Sequence, residues 1–165
     1  MEIQSLSSTY KVSVLSQSDI PAILKLCSGN PKYYQHCPPA VTAASIKKDM
    51  QALPPGKVLE DKYYLGFWED ANLLAVMDLI LKYPNNDTAF IGFFMMHTDK
   101  QGKGIGSEII KEVCMYLKKE FSFIRLGYVK GNKQSESFWI KNSFQPTGVI
   151  SHTENYDIVI MQKAL

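Results

Sequence analysis

Cysteine is too sparse in this 165-residue sequence to build a disulfide framework: Cys27, Cys37 and Cys114 are its three thiols, widely separated and without a C-x-x-C pair. That excludes a small scaffold held by paired bridges and a thiolate metal site, and it fits a reducing compartment. No run of about eighteen apolar residues occurs, so no membrane-spanning helix is expected. Met1 to Tyr10 lacks the basic and apolar stretches of a secretory leader. An excess of one charge is missing too. Eighteen Lys and Arg against 16 Asp and Glu leave a net charge of +2, too small to imply nucleic acid. The pairs Lys47-Lys48 and Lys118-Lys119 read as solvated helix faces. No histidines or carboxylates show the close spacing of a metal site, so no metal is expected. Internal repeats and low-complexity tracts are absent. The expectation is a soluble, cytoplasmic protein that works without nucleic acid or membrane.

With 45% hydrophobic and 21% charged residues, the composition is that of an ordinary globular chain. Residues 1–165 are expected to form one domain, large enough to bury most apolar side chains in one core. Tyr10 to Leu15 alternates as a first strand. Ser16-Gln17-Ser18-Asp19 supplies capping side chains for a helix with Pro21 in its first turn, and Ser28-Gly29-Asn30-Pro31 ends it. Lys32 to Pro39 reads as an aromatic-rich loop. Thr42 caps a second helix to about Leu53, and Pro54-Pro55-Gly56 stops it. Lys62 to Glu69 and Leu73 to Lys82 read as strands joined at Asp70-Ala71-Asn72, and a turn at Tyr83 to Asp87 leads to a third strand, Thr88 to Met96. Ile105, Ile109, Ile110, Val113, Leu117 and Phe121 recur at helical spacing. After them come a strand at Phe123 to Val129, a short helix over 134–143, and strands near Phe144 to Ile150 and Tyr156 to Gln162.

The chemistry centres on Met96-His97-Thr98-Asp99-Lys100-Gln101-Gly102-Lys103-Gly104-Ile105-Gly106-Ser107, where an apolar strand runs into a glycine-rich turn and a helix begins at once. Alternate glycines let the backbone approach a ligand closely and adopt angles closed to other residues. The orphan N–H groups and the positive dipole end of the helix then make an anion site, with phosphate as the usual occupant. Lys100 and Lys103 add charge. The spacing is G-x-G-x-G, so neither the dinucleotide G-x-G-x-x-G nor the P-loop motif fits, and a different phosphate-bearing ligand is required.

Gln101-Gly102-Lys103-Gly104-Ile105-Gly106 resembles the Q/R-x-x-G-x-G/A signature of the GNAT superfamily of N-acetyltransferases. Asn132-Lys133-Gln134-Ser135-Glu136-Ser137-Phe138-Trp139-Ile140-Lys141-Asn142-Ser143-Phe144 resembles that family's second signature, in which an asparagine opens a short helix ending in an aromatic pair, a lysine and a glycine-phenylalanine. The resemblance covers the chain from about Lys62 to its C-terminus. It implies an α/β fold of the α+β type: a central mixed, mostly antiparallel sheet of about seven strands, flanked by about four helices, with a splayed central parallel pair. It also implies acetyl-CoA as cosubstrate and a primary amine of a small molecule, amino acid or peptide as acceptor. On that reading Gln101, Gly102, Lys103, Gly104, Ile105, Gly106 and Ser107 cradle the pyrophosphate, Phe94 and Met96 line the pantetheine arm, and Asn132 and Trp139 border the cofactor. Tyr33, Tyr34 and His36 would face the acceptor. The protein would be a monomer or a homodimer.

A lysine-like amine with a pKa of about 10.4 is almost wholly charged at neutral pH, so transfer needs a base or a water bridge to one. Asp78 is the candidate, since it interrupts an otherwise apolar strand, Leu74 to Leu81, and burial would raise its pKa towards a useful range. The thioester carbonyl needs a donor, for which a backbone N–H near Met96 is suited. The family often has a tyrosine acid where this chain has Trp139, whose indole only donates. Tyr128, a water or solvent would then protonate the leaving thiolate. Ser143 replaces the usual glycine before Phe144. Two other readings stay open: a noncatalytic acyl-CoA binding or sensing module, and a phosphate-binding domain unrelated to coenzyme A.

Overall fold

The computed structural model describes residues 1–165. Seven strands form one sheet: β1 (Lys11–Val14), β2 (Lys62–Glu69), β3 (Asn72–Ile80), β4 (Thr88–Met96), β5 (Phe123–Val129), β6 (Gln145–His152) and β7 (Asp157–Ala164). Their order is β1-β2-β3-β4-β5-β7-β6. Every neighbouring pair is antiparallel except β4 and β5, which run parallel. Five α-helices cover the sheet: α1 (Ile20–Ser28), α2 (Pro31–His36), α3 (Ala43–Gln51), α4 (Ile105–Leu117) and α5 (Lys133–Lys141). None is long and apolar enough to cross a membrane.

The apolar alternation of the strands decides which helix packs where. Leu65, Phe67, Ala75, Met77, Leu79, Ala89 and Ile91 face one side and meet Ile109, Ile110, Val113 and Leu117 of α4. Leu15, Tyr64, Leu73, Val76 and Met95 face the other and meet Ile23, Leu26 and Cys27 of α1 and Ile46 of α3. Both faces of β3 are therefore covered, which explains its nearly continuous apolar run. Fully burying each Val, Leu, Ile, Met or Phe side chain among them is worth about 1.5–3 kcal/mol. Thr42 caps α3 as expected, its side chain accepting from the Ser45 N–H.

The stretch expected as a loop from Lys32 is instead largely helical, which raises the helix count from about four to five. Pro31 opens α2 at its first helical position, where its missing N–H costs nothing and its fixed φ suits the helix. Read only as a terminator of α1, it concealed the start of the next helix. Tyr33 anchors α2 by standing edge-on to Phe93 at 5.9 Å, and Tyr34 packs in the same cluster.

Two features of β4 shape the region around its C-terminal end. Its pairing with β5 covers only Thr88↔Phe123 to Ile91↔Leu126 and then stops. Its register against β3 shifts so that Asp78 faces Phe93 while Leu79 faces Ile91, leaving Gly92 as the extra residue of a bulge. A Cβ at Gly92 would lie 2.8 Å from Asp78 Oδ2, so only glycine fits there without displacing the carboxylate. A bulge bends its strand, and here the bend coincides with the parting of β4 from β5.

Ser143, which stands where the resemblance calls for glycine, has φ of 67°, in the left-handed region. That conformation costs a non-glycine residue about 1–2 kcal/mol, offset by the greater chain entropy that glycine loses on folding, about 0.5–1 kcal/mol. Ser143→Gly should therefore raise the melting temperature by about 2–4 °C in a thermal denaturation scan; a lowered value would show that the Ser143 side chain contributes more than its backbone strain removes.

Candidate active site

Where β4 leaves β5, the chain turns through Thr98–Lys100 and enters the glycine loop. Gly102 and Gly104 take φ of 73° and 85°, and α4 starts at Ile105. No side chain caps this helix, so the amides of its first turn have no capping acceptor. They border a cleft of about 360 Å³ whose other walls are the end of β4 and the start and inner face of α5. Of the residues assigned to the cofactor from sequence, Phe94, Met96, Gln101, Gly102, Gly104, Gly106, Ser107, Asn132 and Trp139 all line this cleft. Lys103 and Ile105 do not: Lys103 points to solvent, and Ile105 packs against the main core. Lys100 lines the cleft too, with its ammonium 2.6 Å from Glu69.

A small amide network fixes the loop. Gln101 Nε2 donates to Asn30 Oδ1 at 2.6 Å and to the Met96 carbonyl at 3.2 Å, while Gln101 Oε1 accepts from Gln134 at 3.1 Å. Asn30 Nδ2 donates to the same Met96 carbonyl at 3.1 Å. The C-terminal end of α1, the end of β4, the loop and α5 are thereby tied at one point. Asn132, buried, caps α5 by accepting from the Ser135 N–H at 3.1 Å. Asn142 Nδ2 reaches Ser107 Oγ at 3.2 Å and joins the far end of α5 to the first turn of α4. Phe94, Phe138, Trp139 and Phe144 form an aromatic wall with centroid separations of 5.9, 4.8 and 5.2 Å along the series. Asn30, Gln134, Phe138 and Lys141 also line the cleft and were not assigned from sequence. Phe138 and Lys141 stand inside the second signature, which was the signal for them.

Behind the cleft, in the wedge between the parted strands, lies a second cavity of about 170 Å³. Tyr33, Phe94, Ser135 and Trp139 line both spaces. Tyr128 lines the inner one, and its hydroxyl donates to Glu136 Oε1 at 3.1 Å. Burial and that bond to Glu136 push the Tyr128 hydroxyl above its ordinary pKa, so it stays protonated at neutral pH. Cys37 Sγ donates to the Tyr156 hydroxyl at 3.2 Å, and both residues line this cavity, joining the end of α2 to the start of β7.

Asp78 lines neither space. It sits behind the Gly92 bulge with Oδ2 at 2.6 Å from Lys62 Nζ, which also donates to the Ala52 carbonyl at 2.9 Å. Its Oδ1 is buried without a partner. Burial raises the Asp78 carboxyl above the usual range, more than the Lys62 ammonium lowers it. Of the three residues expected to face an acceptor, Tyr33 lines both cavities, Tyr34 packs towards Cys27, and His36 is exposed on α2 outside both. No group of three or more His, Cys, Asp or Glu residues is placed to hold a metal ion.

The model of the acetyltransferase (GNAT) family matches residues 29–144. No curated protein matches the sequence. Among solved structures, an acetyltransferase from Thermus thermophilus superposes with a TM-score of 0.77 at 15% identity, covering 94% of this chain and 97% of its own. An acetyltransferase from Salmonella typhimurium that modifies the N-terminal serine of a 50S ribosomal subunit protein gives 0.75 at 17%, covering 97% of each chain. A PaiA N-acetyltransferase from Thermoplasma acidophilum, solved in complex with coenzyme A, gives 0.69 at 19%, covering 94% of this chain and 99% of that one. At such identities these likenesses concern the fold.

Proposed function

Because the chain belongs to the acetyltransferase (GNAT) family, we propose that residues 1–165 act as one domain. It would transfer an acetyl group from acetyl-CoA to a primary amine of a small molecule, amino acid or peptide by direct attack in a ternary complex. The observation that carries this reading is the adjacency of two spaces that share Tyr33, Phe94, Ser135 and Trp139 as walls: a cleft rimmed by the uncapped first turn of α4, and a cavity between β4 and β5. The residues fit the carrier. Main-chain amides from Gln101 to Ser107 at the positive end of α4 suit a diphosphate, and the aromatic wall suits a flexible apolar arm. When bound, acetyl-CoA supplies an acetyl group activated as a thioester.

The chain's own residues then have separate tasks. Gln101 and Asn30 hold the strand end by filling the Met96 carbonyl, which is thus occupied within the protein. The amine must lose a proton, yet no carboxylate lines the inner cavity. Tyr128 offers a route: its oxygen can accept a proton from inside while its own leaves towards Glu136, which is partly exposed. Glu136 is held below the usual carboxylate range by hydrogen bonds from Lys133 and then Tyr128, so it is ionised at neutral pH and would hand a proton on to solvent, not keep it. Protonated Tyr128 can afterwards return a proton to the leaving sulfur, the part that Trp139 cannot play.

Tyr128→Phe should lower kcat about tenfold with the dissociation constant for acetyl-CoA unchanged. General acid–base groups often contribute about 10²–10⁴, but a thiolate leaves readily and water can substitute, so the low end applies. The test of the overall reading is calorimetric titration with acetyl-CoA against ATP, followed by thiol release with a panel of amines. Tight binding of acetyl-CoA with no release across the panel would favour the noncatalytic sensing module. Preference for ATP would remove coenzyme A altogether.

A further inference from the structure

The chemistry of the inner cavity narrows the acceptor. None of its fourteen lining residues is charged. Its walls are the aromatic rings of Tyr33, Phe93, Phe94, Tyr128, Trp139 and Tyr156, with apolar strand residues between them. Two nearby carboxylates are committed elsewhere, Glu136 to Tyr128 and Lys133 and Asp78 to Lys62 behind Gly92, and a third, Asp49, is within electrostatic reach of Tyr156 but lines neither space. At about 170 Å³ the space is smaller than the roughly 300–1,000 Å³ of sites for drug-sized ligands.

Resting on the acetyl-CoA reading above, we propose that the acceptor is a compact monoamine whose remaining body is uncharged and aromatic or apolar. A single ammonium can lose its proton through Tyr128 or rest against aromatic faces, and a flat apolar body fills the rest of the cavity. Each further ammonium, as in a polyamine or an aminoglycoside, would enter an apolar wall without a carboxylate partner. A carboxylate on the acceptor, as in an acidic amino acid, would find no cation there. Burying such an unpaired charge is strongly unfavourable. Tyr156 and Cys37, joined by their 3.2 Å hydrogen bond, are the specificity-determining pair, because they line this cavity and not the cleft assigned to the carrier. The reaction balances as follows: the ammonium proton passes to solvent, the amine nitrogen bonds to the acetyl carbon, the carbon–sulfur bond breaks with its electron pair going to sulfur, and the second proton of the nitrogen ends on that sulfur, giving a neutral amide and a free thiol.

The test uses the intact protein with saturating acetyl-CoA, measuring thiol release with 2-phenylethylamine, spermidine, kanamycin and glutamate. The expected result is a kcat/KM for 2-phenylethylamine above each of the others by about tenfold or more, the factor that one unpaired buried polar group imposes. Tyr156→Asp, whose acetyl-CoA affinity and melting curve are checked first, should narrow the gap to spermidine. Cys37→Asp serves the same purpose if that variant does not fold. A preference for spermidine or kanamycin, or no acceleration by any amine although acetyl-CoA binds, would overturn the assignment. Failure of acetyl-CoA to bind would instead sink the reading on which it rests, and the assignment with it.

Discussion

Gly104→Val is expected to weaken acetyl-CoA binding about a hundredfold while the protein remains folded. Gly104 precedes the first residue of α4 with φ of 85°, and nothing lies within 4 Å of where a Cβ would stand. No clash opposes the new side chain, so the effect is conformational. A left-handed angle costs an ordinary residue about 1–2 kcal/mol, and a β-branched residue fares worse. The loop can relieve that strain only by rotating the peptides that aim the first amides of α4. Hydrogen bonds to a charged group contribute about 1.5–3 kcal/mol each, and each 1.4 kcal/mol is a factor of ten. Losing one or two accounts for the expected change, to be read as a dissociation constant by calorimetry. Gly148→Val is the control. Its φ is also 85° and its Cβ position is equally open, but it lies on β6 and lines neither cavity. It should cost similar stability and leave affinity intact. Unchanged affinity in Gly104→Val would mean that the loop does not hold the diphosphate.

Asp78→Ala should destabilise the fold by about 3–5 kcal/mol, the usual cost of removing one partner from a buried ion pair. Lys62 keeps only 3% of its side chain exposed, and without Asp78 its ammonium has the Ala52 carbonyl alone. The expected fall in melting temperature is about 6–20 °C. Lys62→Met combined with Asp78→Leu should recover most of it, since an apolar pair of similar volume often replaces a buried ion pair without loss. Asp78→Asn distinguishes this structural role from the catalytic one expected from sequence. A drop in melting temperature with turnover nearly retained fits the ion pair; normal melting with lost turnover would restore Asp78 as the base.

That ion pair shows what could be read from the chain and what could not. The hairpin Lys62–Glu69 and Asn72–Ile80 was legible from its turn and its apolar runs. Its register sets Lys62 opposite Ile80 and Tyr64 opposite Asp78, which places Lys62 and Asp78 diagonally on one face. Counting outward from the turn would have found the partner, but the bulge between Phe67 and Trp68 shifts that count. The glycine loop and α4 were clear because the signals are local: left-handed glycines, then helical spacing. Asn30 was hidden because it meets Gln101 across 71 positions, and no local pattern announces so distant a contact. The inner cavity was hidden for a related reason. Its walls come from α2, β4, β5, α5 and the start of β7, so its lack of charge exists only once those elements converge.

The wedge between β4 and β5 has a mechanical consequence. Each of its arms is laced along the outer flank, β4 to β3 from Phe90 to Met96 and β5 to β7 from Phe123 to Val129. Neither arm can swing shut without unzipping a neighbour. The gap is therefore a standing slot and not a jaw, and a guest meets it already shaped, with little ordering left to perform. Amide hydrogen exchange along both arms should change little on loading, and whatever slowing occurs should concentrate in the glycine loop.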